Sequence, residues 1–81
     1  MLSFSVKFFQ GRTALHVASL EGHIEVASTI ISKATPLLHQ VDNDGRTPLH
    51  LAAANGHRDL LVILIGQGAE IDAQDNVRHG V

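Results

Sequence analysis

The sequence predicts an all-α fold, a short solenoid of helix-turn-helix repeats joined by hairpin loops. The first observation is that residues 11–23 recur 34 positions later as residues 45–57, with eight identities in thirteen positions. The second is that glycines divide the second copy into segments of helical length, the last of which is apolar along one face. Repetition at this period is typical of stacked units that cannot bury their apolar faces alone.

The first helix of the second copy is predicted to begin at Thr47. A tight turn precedes it at Gly45, because glycine readily adopts a positive φ. The Thr47 hydroxyl can cap free backbone N–H groups, and Pro48 suits the first helical position, where its missing N–H costs nothing. We expect the helix to end about two turns later at Asn55, with Gly56 in a left-handed conformation.

A second helix is predicted from about Arg58 to Ile65. Asp59 lies near its positively polarised amino end, where an acidic side chain is favourable, and Gly66 marks its end. Residues 69–76 are then expected to form an extended connection. The predicted apolar face of this helix consists of Leu60, Leu61, Leu64 and Ile65.

These residues resemble the ankyrin repeat. The family signature Thr-Pro-Leu-His-x-Ala is present at residues 47–52, and the Gly-His pair at 56–57 and the Gly-Ala pair at 68–69 have the family's spacing. The resemblance covers residues 42–74 as one full repeat. It implies an ankyrin-type solenoid without enzymatic activity.

The first repeat, residues 10–41, departs from this pattern. Ala14 replaces the signature proline, and Phe8 stands where the family usually has aspartate. Near Pro36 the terminal glycine is missing and one residue is inserted, so we expect the proline to end the helix there. Residues 75–81 begin a third repeat without its turn glycine.

Residues 1–9 are predicted to be an apolar tail outside the repeats. Residues 2–8 alternate between apolar and polar side chains, which is the period of a strand, and the chain's three aromatic residues all lie in this tail. Three interpretations stay open for the tail. It is foreign sequence joined to a repeat array, an apolar cap over the first repeat, or an aggregation-prone edge segment.

Composition argues against several classes of partner. The net charge is −2 and the six basic residues are scattered, so we expect no nucleic-acid partner. No apolar stretch approaches the roughly 20 residues that span a bilayer, and Lys7 interrupts the apolar amino terminus, which has no signal-peptide cleavage site. We therefore expect no membrane association and an intracellular location, cytoplasmic or nuclear.

No metal or cofactor site is expected. The chain has no cysteine, and its six histidines lack the spacing of a zinc site. Four of these histidines occupy two positions of the repeat, and each position occurs once in each copy. The resemblance implies that these four bond to loop and hairpin backbone and hold neighbouring repeats in register: His16 with His50, and His23 with His57.

No catalytic residue is expected either. Thr13 near His16, like Thr47 near His50, comes closest to a nucleophile beside a base, but both threonines are explained as helix caps. Two pairs of carboxylates are expected in exposed loops, without the burial that general acids need: Asp42 with Asp44, and Asp72 with Asp75.

The resemblance implies that a partner protein binds to the hairpin tips and to the exposed ends of the first helices. Leu20 is expected to be an exposed anchor beside Arg12 and Arg46, which would supply a polar rim. The candidate partner-binding residues are Gln10, Arg12, Leu20, Glu21, Asn43, Asp44, Arg46, Ala54, Asn55 and Asn76.

We therefore expect a non-enzymatic protein-protein interaction module, a fragment or short isoform of a longer ankyrin-repeat protein. One alternative is a truncated, marginally folded product without independent function. Another is head-to-tail self-association through uncapped repeat faces, where Val62 is apolar although the family usually has a polar residue. The resemblance also makes Asp72 and His39 candidates for hydroxylation, since ankyrin repeats often carry asparagine at this position.

Overall fold

The computed structural model describes residues 7–71, which contain helices and turns and no strand. The predicted all-α class is therefore confirmed. The predicted partial third repeat, with Asp75 and Asn76, and the first six residues of the predicted tail lie outside this range, as does Asp72. In chain order the α-helices are α1 Ala14–Glu21, α2 Ile24–Lys33, α3 Pro48–Ala54 and α4 Arg58–Gly66.

The two repeats begin their first helices in the same way. Thr13 and Thr47 are the residues before α1 and α3, both with extended backbone, and each side chain accepts a hydrogen bond from the backbone N–H three residues later. Pro48 occupies the first turn of α3. The predicted threonine caps are confirmed, and Ala14 supports the same helix start without the proline.

The helices form two layers. The inner helices α1 and α3 pack side by side, while α2 packs against α1 and α4 against α3 on the outside. One apolar core joins the two layers and both repeats. Its buried members are Leu15, Ala18, Ala27, Ile30, Ile31, Leu37, Leu38, Leu49, Ala52, Leu60, Leu64 and Ala69.

The predicted apolar face of α4 is wrong at one position. Leu60 and Leu64 are fully buried and Leu61 is half-buried, but the side chain of Ile65 is 40% exposed. Successive residues on a helix are about 100° apart, so Ile65 points well away from the direction of Leu64. Ile63 packs against the core instead.

The link between the repeats contains a 3-10 helix, Thr35–His39. Helix α2 ends at Lys33, before Pro36, as predicted. Pro36 then lies in the first turn of the 3-10 helix, and Leu37 and Leu38 enter the core. The inserted residue is thus accommodated by an element that adds two apolar side chains to the core.

Between residues 7 and 71, every helix is too short or too polar to cross a bilayer.

Candidate functional site

Thr13 and His16 form a reciprocal hydrogen-bonded pair at the start of α1. The Thr13 N–H donates to His16 Nδ1 over 3.1 Å, and the His16 N–H donates to Thr13 Oγ1 over 3.3 Å. Because Nδ1 accepts a backbone N–H, the ring is neutral and carries its proton on Nε2. Thr47 and His50 repeat this arrangement at α3, with 3.1 Å and 3.4 Å for the same two bonds.

The protonated nitrogen of His16 connects the two repeats. Nε2–H donates to the carbonyl of Arg46 over 2.8 Å, which ties α1 to the hairpin that precedes α3. Burial lowers the pKa of the His16 imidazole below its ordinary value of 6.5, because a charged ring loses its hydration there. The imidazole therefore works as a neutral crosslink between backbone segments.

The Thr13–His16 pair has the composition of a nucleophile beside a base, with 2.9 Å between Oγ1 and Nδ1. Both residues are, however, sealed inside the protein, at 1% and 0% exposure. A substrate has no path to the hydroxyl. The contacts of both residues are those of a helix cap and a crosslink between repeats.

A second crosslink lies at the other end of the inner helices. The carbonyl of Leu20 accepts hydrogen bonds from Asn55 Nδ2 over 2.7 Å and from His57 Nε2 over 2.9 Å. His57 belongs to the second repeat and Leu20 to the first. The expected role of the histidines in holding the repeats in register is therefore confirmed at His16 and His57.

Asp42 organises the hairpin between the repeats. Its Oδ1 accepts the N–H groups of Asp44 and Arg46 over 2.9 and 3.0 Å, and its Oδ2 lies 3.5 Å from Arg12 Nε. The expectation of an exposed Asp42 is wrong, since the residue is 5% exposed. The reason is that the carboxylate satisfies the turn backbone and pairs with a cation of the preceding repeat.

The first hairpin forms without an aspartate. Phe8, which stands at the position of Asp42, donates its N–H to the Arg12 carbonyl and accepts the Gly11 N–H at its own carbonyl. Asp42 makes the corresponding backbone bonds to Arg46 and Gly45. Backbone hydrogen bonds therefore close the first turn, and the Phe8 side chain takes no part in closing it.

The two hairpin tips touch. The Asn43 N–H donates to the Gln10 carbonyl over 2.9 Å. Gly11, at a φ of +70°, lies so close to Asn43 that a Cβ on it would overlap the Asn43 amide. A glycine is therefore required where the tips meet, both for its backbone conformation and for space.

The structure divides the candidate binding residues into two groups. The tip group contains Gln10, Arg12, Asn43, Asp44 and Arg46, and the helix-end group contains Leu20, Glu21, Ala54 and Asn55. Six of the nine are exposed, and Arg12, Leu20 and Arg46 are half-buried. Asn76 lies outside the described residues.

Leu20 is not the neighbour of the arginines. Arg12 and Arg46 precede α1 and α3, whereas Leu20 lies near the carboxyl end of α1, and a helix of that length separates its two ends by about 12 Å. The expectation of an exposed Leu20 anchor with an arginine rim is therefore wrong. The role of Leu20 in the structure is to offer its backbone carbonyl as a hydrogen-bond acceptor to side chains of the second repeat.

The described residues contain no group of three or more histidine or carboxylate side chains that could hold a metal ion. His23 and His39 are both exposed but lie on different elements, before α2 and at the end of the 3-10 helix.

Paired helices, repeated threonine caps and histidine crosslinks define a helical repeat protein. A family model described as ankyrin repeats (3 copies) matches residues 2–75. The chain belongs to the ankyrin-repeat family, whose repeats are generally protein-protein interaction modules and typically non-enzymatic. The match includes residues 2–9, whose assignment to a separate tail stays a prediction. A search of curated proteins finds no match.

Two features of the site were not predicted. One is the ion pair between Arg12 and Asp42, and the other is the buried Ser19. An aspartate two positions before Asp44-Gly45 is a signal for a side chain that accepts the turn N–H groups, so the role of Asp42 was accessible from the sequence. Nothing in the sequence pattern indicates that its second oxygen reaches Arg12.

Proposed function

We propose that this chain binds another protein through the tip group and the helix-end group. One observation carries the proposal. Four positions that are identical in the two repeats are buried in both copies, whereas Glu21, Ala54 and Asn55, at helix ends where the repeats differ, are exposed. The identical, buried residues are Thr13, Leu15, His16 and Ala18 with Thr47, Leu49, His50 and Ala52.

The differing positions contrast with this framework. At the carboxyl ends of the inner helices, Glu21 of the first repeat corresponds to Asn55 of the second, and both side chains are exposed. Leu20 corresponds to Ala54, which is also exposed. Variation at accessible helix ends on a common scaffold is the arrangement that a recognition surface needs.

Within each group, hydrogen bonds fix the residues of the first repeat relative to those of the second before a partner binds. The contact between Asn43 and Gln10 joins the tips, and the bond from Asn55 to the Leu20 carbonyl joins the helix ends. Since both bonds cross between repeats, the surface is continuous over the repeat boundary. Such preorganisation reduces the entropy that binding must overcome.

The chemistry of the surface favours a polar partner segment. The exposed side chains of the tip group are the amides of Gln10 and Asn43 and the carboxylate of Asp44, while Glu21 and Asn55 present an acid and an amide at the helix ends. The amides donate and accept hydrogen bonds, and the carboxylates accept them. They suit a partner that offers backbone groups and basic side chains.

Site-specific photo-crosslinking tests the proposal. A photoreactive amino acid is placed at Asp44 or Glu21, on the proposed surface, and in matched variants at Thr29 or Val62, which are exposed on the outer helices. We expect one discrete adduct from the inner positions and none from the outer positions. Equal adducts from both surfaces, or adducts from the outer helices alone, contradict the proposal.

Alanine variants then measure the contribution of single side chains to binding of the crosslinked partner. Asp44→Ala removes a carboxylate whose residue contacts the hairpin through its backbone N–H, so the fold is expected to persist. Glu25→Ala on α2 is the matched control, since it also removes an exposed carboxylate. Weaker partner binding by the first variant alone supports the proposed surface.

A further inference from the structure

An apolar depression of about 310 Å³ lies on the side of the first repeat that faces away from the second. Its walls come from α1, α2 and the first hairpin. We name this surface the leading face and define it by Phe8, Ala14, Val17, Val26 and Ile30. Phe8, Val17 and Val26 remain 56%, 40% and 52% exposed.

The corresponding positions of the second repeat are covered. Val17 corresponds to Leu51 and Val26 to Leu60, each 34 residues later. Leu51 is 1% exposed and Leu60 is fully buried. The difference arises because the first repeat packs against the second repeat at these positions, whereas the leading face of the first repeat has no such cover among residues 7–71.

A complementary surface lies on the opposite side of the second repeat. In the first repeat, Ala27 and Ile31 of α2 are 0% and 2% exposed and belong to the core that joins the repeats. Their counterparts on α4 are Leu61 and Ile65, the former half-buried and the latter 40% exposed. We name Leu61 and Ile65 the trailing face.

The leading and trailing faces are the two halves of the contact that already joins the repeats inside the chain. We propose that a second copy of this chain associates head-to-tail, with the trailing face of one molecule on the leading face of the next. The occupant follows from continuity with the internal repeat contact, since residues 7–71 carry one exposed copy of each half.

The sizes of the side chains favour this pairing. Inside the chain the small Ala27 belongs to the same core as the large Leu60, and Leu51 is also buried. Between molecules the larger Leu61 would meet the smaller pair Val17 and Val26. The larger side chains thus lie on the leading side of the contact inside the chain, and the larger Leu61 lies on the trailing side between molecules. The summed side-chain volume in the contact is therefore nearly the same, as close packing requires.

A polar connection is also available. His57 donates from Nε2 to the Leu20 carbonyl of the preceding repeat. His23 occupies the same repeat position as His57, is exposed, and lines the leading face. The residue that corresponds to Leu20 is Ala54, so His23 of one molecule would donate to the Ala54 carbonyl of its neighbour.

This association uses other surfaces than the proposed partner-binding groups, apart from the Ala54 carbonyl, and does not depend on the proposed function. The contact is heterologous, because different faces meet. Its geometry permits growth beyond a dimer unless the rotation closes a ring.

Sedimentation velocity of the full chain over a concentration series tests the inference. Val26→Glu blocks the leading face and Ile65→Glu blocks the trailing face, and each is expected to weaken self-association by at least about 30-fold, since the interface would bury an unpaired charge. Val62→Glu is the matched control. It places the same charge on α4 at a side chain that is 71% exposed, about 100° from either neighbour on the helix, and it should leave association unchanged.

Mixing the two blocked variants gives the decisive readout. Each retains the face that the other has lost, so an equimolar mixture should form heterodimers that do not grow further, while each variant alone stays monomeric. Circular dichroism verifies that both are folded. Three outcomes overturn the inference: a monomeric wild-type chain at every concentration, equal disruption by Val62→Glu, or a mixture that stays monomeric.

Discussion

Ser19 has a buried hydroxyl on α1 without a hydrogen-bond partner among the described residues. The residue is fully buried, and the second repeat has alanine at the corresponding position, Ala53. An unsatisfied buried hydroxyl costs free energy on folding. Ser19→Ala is therefore expected to raise the free energy of unfolding by about 1 kcal/mol, measured by urea denaturation.

The reverse change in the other repeat is the control for Ser19→Ala. Ala53 is half-buried, so a serine there can reach water and Ala53→Ser should change stability much less than Ser19→Ala does. Should Ser19→Ala lower the free energy of unfolding, the hydroxyl must have a partner that stabilises the fold.

His16 makes folding sensitive to acid. Burial lowers the pKa of its imidazole in the folded chain, so the unfolded chain binds this proton more readily. The contribution of His16 to stability is then present above its ordinary pKa of 6.5 and is lost as pH falls below that value towards the folded pKa. NMR titration should give a lower midpoint for His16 in the folded chain than in urea, and an equal or higher midpoint contradicts this.

At the scale of elements, the ends of α1 and α3 provide a matched pair of glycines. Gly22 and Gly56 have φ values of +76° and +71°, so alanine strains the backbone at both. Only at Gly22 would the new Cβ also lie 2.7 Å from the His57 ring, since Gly56 has open space at that point. The comparison isolates the contact of the helix end with the neighbouring repeat.

We expect Gly56→Ala to cost about 1 kcal/mol, from backbone strain alone. Gly22→Ala should cost more, because it displaces His57 from the Leu20 carbonyl. Urea denaturation of both variants, repeated in a His57→Ala background, measures the excess. The excess should disappear in that background, and its persistence would place the clash elsewhere.

Elements that repeat could be predicted from the sequence, and elements that do not repeat could not. The starts of α1 and α3 follow from threonine caps, which act within a few residues. The 3-10 helix Thr35–His39 brings Leu37 and Leu38 into the core. This is a tertiary effect, and it leaves no periodic pattern in the local sequence. For the same reason the half-buried Leu20 and the pairing of Arg12 with Asp42 required the packed structure.

At the scale of the whole molecule, the repeats are interlocked. Side-chain bonds cross the boundary at both ends of the inner helices, from His16 to the Arg46 carbonyl and from His57 to the Leu20 carbonyl, and a single core joins the layers between them. A chain of this size buries a small fraction of its surface compared with larger domains. Neither repeat should therefore remain folded when the other unfolds.

Arg12→Met tests this interdependence. The change leaves the Asp42 side chain, which is fully buried, without the cation that lies 3.5 Å from its Oδ2, and an unsatisfied buried group of this kind costs roughly 1 to 3 kcal/mol. Arg58→Met is the control, because Arg58 is exposed at the start of α4 and a cation there opposes the helix dipole. We expect a large fall in melting temperature for Arg12→Met and little change for Arg58→Met.

The decisive measurement is which backbone amides lose their protection from hydrogen exchange. Hydrogen exchange of Arg12→Met should show amides of α1 and of α3 opening with the same free energy, because the bonds between repeats make unfolding cooperative. Separate loss of protection, with α3 and α4 remaining closed after α1 and α2 have opened, would mean that the second repeat folds by itself. The contacts between repeats would then align two independent units, and the partner-binding surface would not depend on them for its stability.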